Sequence, residues 1–174
     1  LSPDPDFAGV QADTDRFVLL GESLGGPSLV FGGGLVRFGG GGSLRLLLGY
    51  GVSDRVTMFT GLEGGAAGLI SGIGTEEASF AARPVGGAPL LLRIHDDTWV
   101  YDIEAAVISQ YHQETIATPG ARGSFGVGLR SVRIGGFMPI AVGFVGYEML
   151  PAFRDLPTTH AIRIGTRVGI DYDP

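Results

Sequence analysis

Apolar residues alternate with small or polar residues along most of this chain. From Leu44 to Val52 the even positions are apolar or aromatic, whereas the odd positions combine Arg45 with leucine and glycine. Similar runs recur along the chain, and the longest extends over 98–112. Because successive side chains of a β-strand point to opposite faces, these runs predict strands with one apolar face. Few windows predict a helix, since glycine and β-branched residues interrupt most of them.

The two faces of the predicted strands differ in composition. One face is apolar, with aromatic residues near the strand ends and no charge in the middle. The other face combines glycine with a set of charges: Arg45, Glu63, Arg93, Asp102, Glu104, Arg130, Arg163 and Arg167. A solvated face would carry more charge and less glycine, whereas the narrow interior of a membrane barrel takes small and charged residues. The pattern therefore favours a barrel with its apolar face toward lipid and these charges in its lumen.

Short and long connections alternate between the predicted strands. Short ones are predicted at 53–54, 96–97 and 133–136, and longer ones at 39–42, 65–88, 113–121 and 151–159. The glycine-rich link 39–42 follows a first strand near 28–38. This alternation is typical of the periplasmic turns and extracellular loops of bacterial outer-membrane barrels. It predicts an all-β, transmembrane, antiparallel up-and-down barrel of about eight strands, with both termini on the short-turn side.

Composition excludes several classes of protein. The chain has 174 residues, a net charge of -6, 31 glycines and no cysteine, and all of its 12 basic residues are arginine. Hydrophobic residues make up 44% and charged residues only 17%, which excludes a disordered chain. Absence of cysteine excludes a disulfide scaffold, and the acidic balance argues against nucleic acid as a partner. The charge-free stretches are shorter than the ~18 residues of a membrane-spanning helix.

Two segments resemble those of a known class of membrane protein. Residues 49–57 (GYGVSDRVT) are similar to strand–turn–strand segments of small bacterial outer-membrane β-barrels of the OmpA/OmpX type. The last strand resembles a barrel-assembly signal, carried by Arg163, Gly165, Val168, Ile170 and Tyr172. Many members end on the aromatic residue, whereas this chain continues with Asp173 and Pro174. The resemblance covers residues 28–172 and implies an outer-membrane location without implying one activity.

These observations predict a periplasmic lead-in over 1–27 and a transmembrane barrel over 28–174. We expect a non-enzymatic structural, anchoring or partner-binding role in the cell envelope, with a lumen plugged by the inward charges. Outer-membrane lipid is an expected partner, and no cofactor or metal is expected. The segment 65–88 is the predicted contact surface for a second copy or an envelope protein, because it is unusually apolar at Leu69, Ile70, Ile73 and Phe80.

Three other functions fit parts of the sequence. The arginine excess among the inward charges is compatible with a narrow channel. A soluble lipocalin-like barrel would turn the apolar face inward and bind an apolar ligand. A lipid hydrolase or acyltransferase is the third alternative. Residues 21–25 match the G-x-S-x-G elbow around Ser23, with Asp102 or Asp155 and His160 as further triad members.

Other polar residues offer weaker candidates for chemistry. His112 with Gln110 or Glu114 could serve as a general base in such an enzyme. The three histidines lack the spacing of a structural zinc site. Four acidic residues could offer oxygen ligands to a calcium ion, and their simpler interpretation is that of solvated loop charges: Asp13, Asp15, Glu76 and Glu77.

Overall fold

The fold is a closed sheet of eight antiparallel strands, seen in a computed structural model that describes residues 16–71, 79–113 and 116–172. The strands are β1 (Phe17–Gly32), β2 (Leu35–Ser53), β3 (Val56–Ser71), β4 (Ser79–His95), β5 (Trp99–Gln113), β6 (Ile116–Arg130), β7 (Phe137–Leu150) and β8 (Thr159–Tyr172). Each strand pairs with the next in the chain, and β1 also pairs with β8, from Leu19 opposite Tyr172 to Gly32 opposite Thr159. This confirms the predicted all-β, up-and-down barrel of eight strands.

Alternation within the strands sorts side chains between lumen and exterior. In the first half of β7 Met138, Ile140, Val142 and Phe144 are buried, and the odd positions between them are exposed. The same parity holds in β1, where Val18, Leu20, Glu22 and Leu24 face inward. The two-residue period of a β-strand therefore decides which side chains enter the lumen.

The first hairpin differs from the sequence prediction in two places, the start of β1 and the position of the turn. Strand β1 begins at Phe17, so the expected lead-in over 1–27 is wrong from that residue onward. The glycine-rich segment 39–42 is part of β2 and pairs with β1 on one side and β3 on the other. The turn lies instead at Gly33 and Gly34, whose φ angles of 59° and 75° favour glycine. At Gly39 a Cβ atom would lie 2.6 Å from the Gly68 carbonyl oxygen, so glycine there permits close strand packing.

The connections at the opposite end from the N-terminus are shorter than predicted. Strand β3 extends to Ser71 and β4 begins at Ser79, so most of the expected loop 65–88 belongs to the barrel wall. Small residues such as Gly64 and Ala66 continue the β3–β4 ladder toward Ile70, which pairs with Phe80. The link 113–121 is likewise mostly strand, because β6 begins at Ile116. We refer to this end of the barrel as the long-loop end and to the other as the short-turn end.

Other predicted connections are confirmed. Strands β2 and β3 are joined by residues 54–55, β4 and β5 by 96–98, and β6 and β7 by 131–136. The long link after β7 covers 151–158 and contains the Phe153–Leu156 bridge. The predicted alternation of short and long connections is wrong, because at the long-loop end only two residues separate β1 from β2 and β5 from β6, whereas six separate β6 from β7 at the short-turn end.

The exterior carries a continuous apolar belt. Leu44, Leu62 and Ile164 are 70%, 73% and 63% exposed. Aromatic residues border the belt at the short-turn end: Phe17, Tyr50, Trp99, Tyr101, Phe137 and Tyr172. Others border it toward the long-loop end: Phe38, Phe80, Tyr111 and Tyr147. Such an exterior is typical of barrels that span membranes. Within the described segments, no helix has the length and apolarity needed to cross a bilayer.

Candidate functional site: the lumen charge network

Inward-facing strand positions place a group of charged side chains in the middle of the lumen. We call this group the lumen network: Glu22, Arg45, Glu63, Arg93, Asp102, Glu104, Arg122, Arg167 and Asp171. Every member is at most 7% exposed. The group holds four arginines and five carboxylates. Burial at this depth requires that each charge be paired and hydrogen-bonded.

Arg45 lies at the centre of the network and contacts three carboxylates. Its Nε donates to Glu63 Oε2 at 3.0 Å, and its Nη1 donates to Glu22 Oε2 at 3.2 Å. Two further bonds go to Glu104, from Nη1 to Oε2 at 2.8 Å and from Nη2 to Oε1 at 3.0 Å. The planar guanidinium therefore has its donors directed at carboxylates from three different strands.

Arg93 also contacts three carboxylates, at a position closer to the short-turn end. It forms a two-bond pair with Asp102, from Nε to Oδ1 at 2.9 Å and from Nη2 to Oδ2 at 3.0 Å. Its Nη1 donates to Asp171 Oδ1 at 3.1 Å, and its Nη2 lies 3.5 Å from Glu22 Oε1. The guanidinium also lies 5.3 Å from the centre of the Phe59 ring, a distance that permits a cation–π contact.

Of the two remaining arginines, Arg122 adds contacts to the carboxylates around Arg45, and Arg167 joins that group to the carboxylates around Arg93. Arg122 donates to Glu63 through both Nη atoms, with Nη1 at 3.0 Å from Oε1, and through Nε to Glu104 Oε1 at 2.9 Å. Arg167 contacts Glu104 Oε2 at 2.7 Å and Asp102 Oδ2 at 3.4 Å, and it also bonds Ser124. Glu104 therefore accepts from three arginines, and the network is one connected unit.

Two predicted lumen charges lie outside this central group. Arg163 contacts Glu148 Oε1 at 3.4 Å, and Glu148 lies 3.8 Å from Arg122, so this pair extends the network toward the long-loop end. Arg130 was predicted in the network but lies at the short-turn end, with Nη1 2.9 Å from His95 Nδ1. Its position at the last residue of β6 explains this difference.

Sequence reasoning missed three members of the network. Glu22 fell within the expected lead-in, Arg122 adjoined an expected loop, and Asp171 was on the polar face of the last strand without being included among the lumen charges. Extending the alternation of β1 back to Phe17 would have placed Glu22 on the inward face. The register then sets Glu22 opposite Arg45.

An apolar cluster lies inside the barrel on the short-turn side of the network. Its members are Val18, Leu20, Leu47, Phe59, Leu91 and Ile140. Leu20, Leu47 and Leu91 have no exposed surface. This cluster gives the network an apolar boundary, which lowers the local polarity around Arg93 and strengthens its ion pairs.

The residues of the hydrolase alternative do not assemble into a triad. Ser23 faces the exterior, where its Oγ lies 3.4 Å from the Val168 carbonyl, whereas Asp102 is in the lumen. The segment after Ser23 continues as strand, and no helix follows it as an elbow would need. His160 Nδ1 is 2.6 Å from Tyr147 Oη. Asp155 lies in the 151–158 link.

The other polar candidates are separated or lie outside the described residues. His112 belongs to β5, but its side chain and Glu114 are outside the part described. The calcium candidates Asp13, Asp15, Glu76 and Glu77 are outside it as well. Among residues 16–71, 79–113 and 116–172, no cluster of three or more histidine or acidic side chains could hold a metal ion.

The proposed assembly signal lies entirely in β8. Arg163 and Gly165 point into the lumen, whereas Val168 and Ile170 face outward. Tyr172 packs on Phe137 with ring centres 4.8 Å apart. Residues 173 and 174 lie outside the described part. Recognition of this strand by an assembly machinery stays a prediction.

Comparisons with known proteins show similarity of fold. No protein-family model and no curated protein matches the sequence. Neisserial surface protein A aligns over 91% of this chain and 97% of its own, with TM-score 0.50 and 10% identity. The outer membrane protein OprG from Pseudomonas aeruginosa aligns over 92% and 96%, with TM-score 0.50 and 9% identity. At this identity the likeness concerns the fold: the chain is a barrel of the kind found in small bacterial outer-membrane proteins.

Proposed function

We propose that this chain is an integral outer-membrane barrel with a structural, anchoring or partner-binding role, and that the lumen network plugs its interior. The observation that carries the proposal is the set of buried, mutually paired charges in the middle of the lumen, bounded by an apolar cluster on one side. An eight-stranded barrel is only wide enough for side chains to fill it. The function is therefore expected to reside on the outer surface and the loops.

Membrane insertion is supported by the composition of the exterior. Large apolar side chains such as Leu44 and Leu62 are mostly exposed, and few soluble monomers expose such a continuous apolar surface. Aromatic residues border the belt at both ends, where amphipathic rings favour the membrane–water interface. Lipid is the environment that stabilises this exterior, and the similarity of fold supports an outer membrane as the membrane concerned.

Plugging is supported by the energetics of the ion pairs. An ion that crossed the barrel would have to separate guanidinium groups from their carboxylates in a low-polarity interior. Leaving one member of a buried pair without its partner costs about 3–5 kcal/mol. Glu104 alone holds Arg45, Arg122 and Arg167, so passage would disrupt several pairs at once.

Partner binding is supported by the exposed part of the barrel wall that the predicted contact segment 65–88 forms. Phe80 is 70% exposed on the exterior, next to its partner Ile70. These side chains and Phe38 border an apolar groove whose floor is made of glycine and alanine. Leu69 instead lines the lumen, and Ile73 is outside the described residues. The face around Ile70 and Phe80 is thus the surface proposed to meet a second copy or an envelope protein.

Membrane fractionation tests the location. The native protein should be recovered with the outer membrane, and its mobility in SDS gels should change on boiling because a folded barrel resists the detergent. A detergent-independent soluble monomer without such a shift would contradict the proposal and favour the lipocalin-like alternative.

Planar-bilayer recording tests the plug. The refolded full chain should insert without discrete conductance steps, with the same preparation showing the boiling-dependent shift as proof of folding. Reproducible steps from folded protein would contradict the plug and favour a narrow channel.

A further inference from the structure

A small cavity lies in the lumen at the long-loop end, beyond Glu148. We call it the vestibule; its polar lining residues include Arg37, Arg83, Gln110, Glu148 and Arg163. Its volume is about 40 Å³. A single buried water needs roughly 10–15 Å³ by this measure. The vestibule therefore has room for a group of the size of a few water molecules.

Guanidinium groups outnumber carboxylates in the described lining of the vestibule. Its described lining residues include three guanidinium groups and one carboxylate, in a chain of net charge -6. The carboxylate of Glu148 is engaged by Arg163 at 3.4 Å and lies 3.8 Å from Arg122. A concave site focuses the field of such charges.

Arg163 supplies a donor that the described structure leaves unused. The residue is 7% exposed, and its Nε is buried without a hydrogen-bond partner among the described residues. A buried donor without a partner costs roughly 1–3 kcal/mol, more for a charged group. An acceptor that enters the vestibule from the long-loop end would satisfy this atom.

Arg37 adds a second cation to the same cavity. It lies on the inward face of β2, half-buried, and has no ion pair with the part of the chain that is described. Arg83 of β4 lines the same cavity. An anion between them would be attracted by both guanidinium groups.

We propose that the vestibule binds a phosphate-class oxyanion, held by Arg37, Arg83 and Arg163. Three guanidinium groups from β2, β4 and β8 surround the cavity, and this arrangement suits a tetrahedral anion with oxygens in several directions. A phosphate dianion would be attracted by these guanidinium groups. Arginine is the side chain best suited to such contacts. The anion is either free phosphate or the phosphomonoester headgroup of a lipid.

Calorimetry on the refolded full chain in dodecyl maltoside tests this site with inorganic phosphate as the probe. Binding should weaken at least tenfold in Arg37→Gln and in Arg163→Gln. Arg154→Gln is the matched control, because Arg154 is an exposed arginine in the 151–158 link at the same end. All variants are first checked for the boiling-dependent gel shift. Arg163 is paired with Glu148, whereas Arg37 has no ion pair among the described residues, so Arg37→Gln keeps the test decisive if Arg163→Gln does not fold.

A second set of binding measurements distinguishes free phosphate from a lipid headgroup as the source of the anion. Micelles doped with phosphatidic acid are compared with micelles doped with phosphatidylcholine, whose phosphate is a diester. Binding of inorganic phosphate with the expected loss in the variants supports a free anion. The same loss seen only with phosphatidic acid supports a lipid headgroup. If neither probe binds, or if both vestibule variants bind as well as wild type, the proposal is overturned.

Discussion

Arg45 and Glu104 are separated by 59 residues and form a two-bond ion pair, with Nη1–Oε2 at 2.8 Å and Nη2–Oε1 at 3.0 Å. Their strands, β2 and β5, are not neighbours in the sheet. The pair therefore crosses the lumen and ties together walls that share no backbone hydrogen bonds. Such contacts make the charges part of the barrel's stability.

Removal of the Glu104 carboxylate should destabilise the barrel strongly. Glu104→Gln leaves Arg45, Arg122 and Arg167 with too few acceptors, and we expect a loss of about 3–5 kcal/mol in the free energy of unfolding. Urea unfolding in lipid vesicles, followed by tryptophan fluorescence, measures the change. Arg130→Gln is the control and should cost below about 1 kcal/mol, because Arg130 lies outside the network. Equal stability of Glu104→Gln and wild type would show that the cross-lumen pairs contribute nothing.

Loss of two arginines should open a cation-selective path. The double variant Arg45→Ala/Arg122→Ala removes side-chain volume and leaves Glu63 and Glu104 with fewer cations. Discrete conductance that favours K⁺ over Cl⁻ is expected in planar bilayers, whereas the wild type should stay silent. A silent double variant that still shows the boiling-dependent gel shift would place the barrier elsewhere, for instance in the apolar cluster around Phe59.

Substitution at Gly39 tests its place in the barrel wall. A Cβ atom there would lie 2.6 Å from the Gly68 carbonyl, so Gly39→Ala should lower stability by about 1–3 kcal/mol. Gly64→Ala is the matched control, since its Cβ would have no heavy atom within 4 Å, and we expect a change within about 0.5 kcal/mol. Both are measured by urea unfolding. Tolerance of Gly39→Ala equal to that of the control would favour a loop at 39–42.

The turn between β4 and β5 should depend on pH through Asp96. Its Oδ1 accepts hydrogen bonds from the backbone N–H groups of Trp99 at 2.7 Å and Thr98 at 2.9 Å, and these bonds lower the pKa of the carboxyl. A lowered pKa in the folded state means that this stabilisation is present above the unfolded pKa and is lost as the pH falls through the folded value.

Two variants isolate this effect. Asp96→Asn keeps an acceptor oxygen but cannot titrate, so the difference in urea midpoint between wild type and Asp96→Asn should shrink as the pH is lowered. Asp96→Ala should have the lowest midpoint at neutral pH because it removes the acceptor. NMR titration of the Asp96 carboxyl carbon measures the pKa directly. A value at or above that of a model peptide would contradict the role of the two backbone donors.

The sequence by itself determined the architecture. Strand periodicity is a local property, because the pleat sends neighbouring side chains to opposite faces. The residues around Arg45 therefore reveal their inward and outward positions without knowledge of any partner strand. The tally of predicted strands indicated eight strands in up-and-down order, although the connection lengths used to support it do not alternate in the structure. Glycine obscured the first hairpin, since a run such as 39–42 reads equally as a loop or as closely packed strand.

Tertiary structure decided which charges meet. Register sets the cross-strand pairs, such as Arg93 opposite Asp102, but the contact between Arg45 and Glu104 exists only because the sheet closes on itself. Closure also brought Arg37, Arg83 and Arg163 around one cavity from three strands far apart in the chain. Distances across a lumen depend on strand number, tilt and stagger together. For this reason alternation along single strands could identify the inward charges but could not pair them.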